Sequence, residues 1–392
     1  MTNTVSPAAT DYDIIICGAG PVGLSTAALL HKRSLAAGQM PRIALIDAKP
    51  DQAANQDPRT IALSHGSQQI LQSIGAWPLI APTATAIHQI HVSRRRHFGR
   101  TLIRREDYQL PALGYVVRYG PLVSALSAAL APASLSMLRP VQVTAIAEQT
   151  SHATVQLDDG STLSAAMVVQ AEGGVFSEQT ARKRQHDYDQ IAIIAHVQTS
   201  APIAQRAFER FTAEGPLALL PQEDGYALVW CVRPATATQL LALDEAAFLD
   251  ALGNMFGTRL GRFIRCSTRN SYPLGLNAAA ATSARTVAIG NAAQTLHPVA
   301  GQGLNLGLRD AIVLSQALMQ QGSTPAALEQ FARRRRHDRS ATIALTDLLA
   351  RLFASAADGA PSQSLLGLSL GLVDVIAPAK RLLAEQMMFG WR

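Results

Sequence analysis

The sequence predicts an α/β fold with an α+β insertion, in which a parallel sheet flanked by helices is interrupted by a β-rich second domain. Residues 13–17 form a short apolar, β-branched run, and glycines and a helix-period segment at residues 24–32 follow it. A second buried strand is predicted at residues 42–46. Strand, helix and strand in this order make a β-α-β unit, whose strands are parallel. Strand signals then dominate residues 190–269, which indicates the insertion.

The α/β order returns twice further along the chain. Later predicted elements are a helix at 122–130, a hairpin at 153–163, a buried strand at 167–170, a strand at 286–289, a helix at 304–320 and helical sequence from 324. We expect the first domain to comprise residues 1–82, 111–185 and 271–345, the β-rich domain residues 83–110 and 186–270, and a C-terminal helical segment residues 346–392.

Composition is that of a folded protein with a basic surface. The chain has 392 residues, enough for two or three domains, and only 16% are charged. The net charge is +6, but no recognition motif accompanies the arginines, so we expect no nucleic-acid partner. Residues 94–96 and 333–336 are arginine clusters. Each is expected to form a solvated face, with a membrane or partner patch as the alternative.

The cysteines and histidines predict neither disulfides nor a metal site. Three widely spaced cysteines without a paired motif favour a reducing cytoplasm, namely Cys17, Cys231 and Cys266. His88 and His91 form an isolated pair that we expect at the surface. We therefore expect no bound metal.

No targeting or spanning segment is predicted. Residues 1–10 lack the charged and apolar parts of a signal peptide, and the apolar stretch at residues 365–377 is too short and too interrupted to span a bilayer. We expect a cytoplasmic protein, with peripheral attachment to the inner membrane as the alternative.

The first motif is Gly18-Ala19-Gly20-Pro21-Val22-Gly23, directly after the first strand. Gly18 is expected to make the tight turn, Gly20 to let the backbone approach a pyrophosphate, and Gly23 to let helix and strand pack closely. The helix N-terminus offers free N–H groups to phosphates. Asp47 ends the next strand and would accept a hydrogen bond from the ribose. The motif predicts a dinucleotide site.

Two further glycine motifs follow strands. Glu172-Gly173 comes after the strand at residues 167–170, and an ordinary strand-end turn is an equal alternative there. The segment from Gly290 to Asp310 carries Asn291, whose amide suits a polyol. Gly301 and Gly303 remove side chains, so that the backbone can lie against a flat ring, and the next helix begins there.

The three motifs, in this order, resemble those of the single-component flavoprotein aromatic hydroxylases, and the likeness runs along nearly the whole chain. Residues 297–307 resemble the signature of the ubiquinone-biosynthesis branch, and residues 57–64 resemble the family's arginine-bearing segment after the second strand. Three stretches, at residues 207–212, 215–218 and 290–298, resemble the group within that branch that hydroxylates 2-polyprenyl-6-methoxyphenol. Two departures occur. Glu172-Gly173 replaces the usual Asp-Gly, which leaves the contact of Glu172 open, and Gly290-Asn291 replaces Gly-Asp, as is typical of the methoxyphenol subgroup.

The resemblance implies a Rossmann-like FAD-binding domain with a β-rich substrate domain. It implies that NAD(P)H reduces FAD and that O2 forms a flavin 4a-hydroperoxide, which hydroxylates a polyprenylated phenol. The implied cofactor-binding residues are Gly18, Gly20, Gly23, Asp47, Arg59, Glu172, Gly173, Asn291, Gly301, Gln302, Gly303, Leu304 and Asn305. The implied catalytic residues are His297, Pro298 and Gly301, with a structural hydrogen bond as an equal alternative for His297.

Other functions remain open at this level. The chain could be an FAD-dependent reductase or epoxidase that acts on a prenyl chain, or a non-catalytic flavin-binding subunit of a quinone-synthesis complex. The group that assists phenol deprotonation is not identified. Tyr226 and Tyr272 are candidates, although each is more simply a core tyrosine.

The C-terminal sequence suggests a contact with a membrane or with other enzymes. Residues 365–391 carry more leucine and valine than one buried helix face requires, and end in Met387, Met388, Phe389 and Trp391. Together with Arg333–Arg336, this tail is the candidate attachment region. The alternative is that it packs on the FAD domain.

Overall fold

The computed structural model describes residues 10–38, 40–95, 100–173, 184–278, 282–298, 301–354, 385 and 388–390. The helices are α1 (Pro21–Ala37), α2 (His65–Ser73), α3 (Trp77–Ile80), α4 (Tyr119–Leu130), α5 (Pro234–Ala242), α6 (Glu245–Phe256), α7 (Gln302–Gln321) and α8 (Pro325–Ala354).

The strands that position the site fall into early and late groups. The first eleven are β1 (Tyr12–Cys17), β2 (Ile43–Ile46), β3 (Thr60–Ser64), β4 (Thr85–Ile87), β5 (Gln89–Arg94), β6 (Arg100–Arg104), β7 (Gly114–Arg118), β8 (Ser136–Leu138), β9 (Val143–Glu148), β10 (Ala153–Leu157) and β11 (Thr162–Gln170). The later ones are β12 (Arg184–Thr199), β13 (Arg206–Phe211), β14 (Pro216–Gln222), β15 (Gly225–Val232), β16 (Phe263–Cys266), β17 (Asn270–Ala278), β18 (Thr286–Ala288) and β19 (Gln294–Thr295).

The first sheet is the predicted parallel sheet. Within the described ranges its order is β8-β2-β1-β11-β10-β9, with β18 also paired to β11. The pairs among β8, β2, β1, β11 and β18 are parallel, whereas β10 forms the expected hairpin with β11. Buried side chains cover both faces, which explains why these strands are almost continuously apolar. Ligands bind such sheets at the carboxyl ends of the strands, where all three glycine motifs begin.

The second sheet is larger and belongs to the β-rich part. Its order in the described part of the chain is β19-β17-β12-β15-β14-β13-β5-β6, with β16 paired to β12. One face packs against α5 and α6 around Phe208, Trp230 and Phe248. The other face borders the cavity described below. A small antiparallel sheet, β3-β7-β4, lies among the described strands as well.

Two observed elements cross the predicted domain boundaries. Strand β17 pairs with β12 along most of its length, so residues 271–278 belong to the large sheet rather than to the first domain. Helix α8 continues through the boundary predicted after residue 345. Both differences arise because backbone hydrogen bonding continues past the point at which the sequence pattern changes.

The arginine cluster at residues 333–336 is not a uniformly solvated face. Arg335 is 5% exposed and its Nε donates to Asp310 Oδ1 at 2.7 Å, while its Nη1 pairs with Asp338. Arg309 of α7 also pairs with Asp338, at 3.0 Å. The helical period places one arginine in four toward α7, where the two carboxylates compensate its buried charge.

The end of the chain packs on the fold. Met388 is 5% exposed and lies in an apolar cluster with Ile103 and Leu113, and the Phe389 ring meets His65 edge-on at 5.9 Å. Residues 355–384, 386–387 and 391–392, which include most of the predicted attachment region, lie outside the described residues. Among the helices that the structure describes, none is both long and apolar enough to cross a membrane.

Candidate functional site

A cavity of about 1690 Å³ lies between the carboxyl edge of the parallel sheet and one face of the large sheet. Pockets for ordinary small ligands measure roughly 300–1000 Å³, so this one has room for a dinucleotide and a second molecule. We call its two parts the cofactor arm, which the glycine motifs border, and the apolar arm, which the large sheet borders.

The three glycines of the first motif perform different tasks. Gly18 has φ +102°, and a Cβ on it would lie 2.7 Å from the backbone of Ala171. A Cβ on Gly23 would lie 1.8 Å from the Gly18 carbonyl oxygen. A Cβ on Gly20 would instead enter open space in the cavity, where the Tyr119 hydroxyl, at 3.6 Å, is the one atom of the described residues within 4 Å. The backbone at Gly20 is therefore bare on the side where a pyrophosphate would approach.

Helix α1 begins at this loop and can attract phosphate. Its N-cap is Gly20, and no acidic residue occupies its first turn. The Arg139 side chain, which the sequence patterns did not reveal, donates from Nη2 to the Ala19 carbonyl at 2.9 Å. Asp47 Oδ2 accepts the Ala19 N–H at 2.6 Å, and Oδ1 accepts the Lys49 N–H at 2.7 Å. Asp47 thus holds the loop while it borders the cavity from which a ribose would contact it.

Two charged residues border the cofactor arm, the acidic Glu172 and the basic Arg59. Burial, and secondarily the charge of Asp47, raises the pKa of Glu172. Arg59 makes two hydrogen bonds to Asp57, at 2.9 and 2.6 Å, and its guanidinium lies 4.6 Å from the centre of the Tyr119 ring. Burial lowers the pKa of Arg59, but Asp57 outweighs it and the net shift is upward, so Arg59 is a permanent cation.

The third motif brings bare backbone to the cavity at its two glycines. Gly301 has φ +60°, where glycine is favoured, and a Cβ there would lie 3.2 Å from Ala62. A Cβ on Gly303 would meet no atom of the described residues within 4 Å. Both glycines border the cavity, as do Asn291, Pro298 and Leu304. The space beside Gly303 suits a flat ring held against the start of α7.

Four of the predicted site residues do not border the cavity. They are Gly23, His297, Gln302 and Asn305. Asn305 connects three segments, because its Nδ2 donates to Ala62 and Gly301 carbonyls while its Oδ1 accepts from Ser64 N–H and Ser67 Oγ. It holds the glycine loop and strand β3 in register.

His297 has the environment of a structural residue. It is completely buried and its Nε2 lies 2.8 Å from Gln190 Oε1, with the Tyr188 ring edge-on at 5.1 Å. Burial lowers its pKa to about 3, so the ring is neutral in the folded protein. These contacts favour the structural alternative over proton transfer in the cavity.

The apolar arm is built from one register row of the large sheet. Partner residues on six strands border the cavity side by side, in the order Thr101, Val92, Glu209, Ala218, Val229 and Ile194. Side chains alternate between the faces of a strand, so the intervening residues of these strands point to the opposite face. Ile90, Ile103, Ala207, Leu220 and Ala227 extend the same apolar lining.

Of the two tyrosines considered for phenol deprotonation, Tyr226 lies in the core and Tyr272 borders the cavity, and His91 is also buried. The Tyr226 hydroxyl donates to the Ile203 carbonyl at 3.0 Å and accepts from its N–H at 2.8 Å, as expected for a core tyrosine. Tyr272 is half-buried and borders the cavity. His91, which we expected at the surface, is 4% exposed and packs 5.7 Å from the Phe208 ring, because strand β5 lies inside the sheet rather than at a solvated edge.

One group in the described part of the chain has the spacing of metal ligands: His196, Glu223 and Asp224. Glu223 and Asp224 are exposed, and Glu223 already pairs with Arg118 through contacts of 2.7 and 2.9 Å. A neighbouring guanidinium opposes a cation here, so the group does not support a metal site.

Comparison with known proteins places this geometry in a family. The family model described as FAD binding domain matches residues 11–345. The chain is 32% identical to the ubiquinone hydroxylase UbiL of Rhodospirillum rubrum, covering 96% of this chain and 89% of that protein. It is 27% identical to the human mitochondrial ubiquinone biosynthesis monooxygenase COQ6, covering 98% and 93%.

Solved structures share the fold. The p-nitrophenol 4-monooxygenase PnpA of Pseudomonas putida superimposes with a TM-score of 0.75 at 17% identity, over 97% of this chain and 98% of that one. Klebsiella pneumoniae HpxO, solved with FAD, superimposes with a TM-score of 0.73 at 16% identity, over 96% and 98%. The two-domain α/β arrangement predicted from the sequence is therefore confirmed.

Proposed function

Since the chain belongs to the FAD-binding-domain family and is an FAD-dependent monooxygenase, we propose that it hydroxylates the ring of a polyprenylated phenol in ubiquinone biosynthesis. The substrate we propose is 2-polyprenyl-6-methoxyphenol, with NAD(P)H and O2 as co-substrates. The names of UbiL and COQ6 support the pathway, and the residues quoted from the methoxyphenol branch support the ring position.

The continuity of the two arms is the observation that carries this proposal. The cofactor arm exposes backbone at Gly20 and Gly303, and the two arms are parts of one cavity. A prenylated phenol has one polar end and a long apolar tail. Each buried CH2 of that tail would contribute about 0.8 kcal/mol to binding.

In the mechanism we propose, FAD held in the cofactor arm would supply the redox chemistry that links NAD(P)H to O2. The loop at Gly18, Gly20 and the N-terminus of α1 binds its phosphates. Gly301 and Gly303 give a flat ring access to the start of α7, whose N-terminus stabilises negative charge on that ring. The apolar row orients the phenol and excludes water, which limits the loss of reducing equivalents as peroxide.

The test measures flavin reduction by NADPH with and without a short-chain 2-prenyl-6-methoxyphenol, followed by product analysis. We expect the phenol to accelerate reduction and to gain one ring oxygen. Modification of the prenyl chain with an intact ring would instead establish the reductase or epoxidase alternative. An FAD-loaded protein that oxidised no NAD(P)H with any phenol would indicate the non-catalytic alternative.

A further inference from the structure

The apolar arm contains one acidic side chain in the register row, Glu209 at the centre of strand β13. Val92 and Ala218 flank it across the neighbouring strands. The residue is half-buried and borders the cavity. A carboxylate among aliphatic side chains costs folding free energy, so such a group usually has a compensating role.

The carboxylate has no hydrogen bond or ion pair to any residue that the structure describes. The neighbouring acidic residue Glu214, by contrast, accepts from the Arg233 N–H and the Thr236 hydroxyl. Glu214, between β13 and β14, is thus satisfied by protein partners, whereas the oxygens of Glu209 remain available to a ligand in the cavity.

We propose that Glu209 is the acid–base group that exchanges a proton with the phenol hydroxyl. This inference rests on the proposed function, because it requires a phenolic substrate in the apolar arm. A general base acts on a proton within hydrogen-bond reach, and Glu209 is the residue of this six-residue row whose side chain can take up a proton near neutral pH.

The proton and electron balance is simple. The phenol O–H bond breaks, its proton forms a new O–H bond on Glu209, and the released electron pair increases electron density at the ring carbon that takes up oxygen. When that carbon loses its hydrogen as a proton to water and the ring becomes aromatic again, Glu209 returns its proton to the same phenol oxygen. One oxygen atom of O2 enters the ring and the other leaves as water, with two electrons from NAD(P)H and two protons, and Glu209 ends as it began.

Electrostatics agrees with this role. Burial raises the pKa of Glu209 to about 7, and the group is then near its midpoint at neutral pH, where acid–base catalysis is most effective. Burial, and secondarily the charge of Glu209, raises the pKa of the nearby Cys231 thiol, which keeps that thiol neutral. Strand β5, which pairs with β13, also carries Arg94. The other charged or titratable residues that border the cavity are Asp47, Lys49, Asp57, Arg59, Arg118, Tyr119, Glu172, His196 and Tyr272.

The first test uses stability, which requires neither cofactor nor activity. A carboxyl group whose folded pKa exceeds its unfolded value destabilises the fold once the pH rises above the unfolded value, near 4.5, and the full effect is reached above about 7. Glu209→Gln should therefore raise the unfolding temperature of the FAD-free protein at pH 8 and change it little at pH 4.5. If the Glu209 carboxylate instead stabilised the fold, Glu209→Gln would lower the unfolding temperature at pH 8.

The second test titrates a bound probe, a nitrophenol with a short prenyl group, whose absorption reports ionisation. In the wild-type protein Glu209 can accept the proton of the bound phenol, so the phenolate absorption should begin at a lower pH. The Glu209→Gln side chain accepts no proton, so the bound probe should ionise only at a higher pH. The matched control is Thr101→Val, which removes a polar group from the same row without removing a charge, and should leave the ionisation pH unchanged.

The third test is the pH profile of hydroxylation. We expect the wild-type rate to rise with pH through about 7, and the Glu209→Gln rate to be flat and at least about 100-fold lower, with unchanged FAD content. Equal rates and profiles for both proteins would overturn the proposal. If the wild-type protein hydroxylated no phenol but the probe still responded to Glu209→Gln, the proposed function would fail while the proton-exchanging contact would stand.

Discussion

At the scale of single residues, the glycines divide into those that serve the backbone and those that serve a ligand. Gly18 and Gly23 face protein atoms at distances that exclude any side chain, whereas Gly20 and Gly303 face the cavity. The consensus pattern treats these positions alike. Substitutions at the two kinds of position should therefore fail in different ways, by misfolding in the first case and by loss of ligand in the second.

Gly20→Val should fold normally and lose bound FAD. The new side chain enters the space beside the helix N-terminus, where the backbone must approach the pyrophosphate. Flavin absorbance after purification measures the loss, and circular dichroism checks the fold. Gly253→Ala in α6, where a Cβ meets only the Phe263 ring at 3.9 Å, is the control and should keep its flavin. A fully loaded Gly20→Val protein would remove the glycine loop from the FAD site.

Gly303→Val should abolish turnover in a folded protein, because its side chain would project into the plane of the ring. It is a cleaner probe than Gly301→Val, which also strains a backbone at φ +60° and meets Ala62. NADPH oxidation beside circular dichroism distinguishes these outcomes. Wild-type activity in the Gly303→Val protein would show that the loop does not contact the flavin.

At the scale of elements, buried ion pairs join α7 to α8. Asp310, which takes part in them, also contacts the start of the third glycine motif. Asp310 of α7 accepts from Arg335 and also from the Gly290 N–H at 3.2 Å and Gln294 Nε2 at 3.1 Å. Asp310 therefore connects Arg335 of α8 with the residue at which the third glycine motif begins.

Arg335→Ala should destabilise the protein by about 3–5 kcal/mol, because Asp310 and Asp338 would remain as buried, partly uncompensated charges. Urea unfolding measures the change. Arg333→Ala is the matched control, since Arg333 is exposed and pairs with Glu329 only at 3.8 Å, and its cost should stay below about 0.5 kcal/mol. Equal effects of the two substitutions would contradict the internal role of Arg335.

At the scale of the whole molecule, the end of the chain returns to the cavity. Met388 borders the cavity and packs with Ile103 and Leu113, and a Cβ on Gly66 would lie 2.7 Å from the Met388 carbonyl oxygen. Met388 thus completes the core next to the apolar arm, as the packing alternative for the tail predicts for this position.

Truncation after Gly359 should lower the unfolding temperature and promote aggregation, since it exposes the cluster around Ile103 and Leu113. Met388→Ala in the full chain should reproduce part of the loss, about 2–5 kcal/mol for a large-to-small change in a core. A truncated protein that stayed folded and active on a short-chain phenol, but no longer bound liposomes or partner enzymes, would instead establish the tail as an attachment region.

The sequence by itself determined the α/β order, the three glycine motifs and the FAD-binding family, because each depends on local patterns. Turn glycines, buried strands and helix starts involve residues close in sequence, and their spacing survives in any chain that adopts the fold. The same reasoning found Gly18, Gly20, Gly301 and Gly303 at the positions where the structure shows the cavity.

Only the tertiary structure decided which side chains face the cavity. Thr101 and Val92 lie on one pair of consecutive strands, and Glu209, Ala218 and Val229 lie on three later consecutive strands. The two groups form one row only because β5 pairs with β13, whose residues are far apart in sequence. The burial of His91 and Arg335 depends in the same way on what packs against each strand or helix. An exposed and a buried charge look identical in a sequence, because the desolvation that separates them is produced by distant segments.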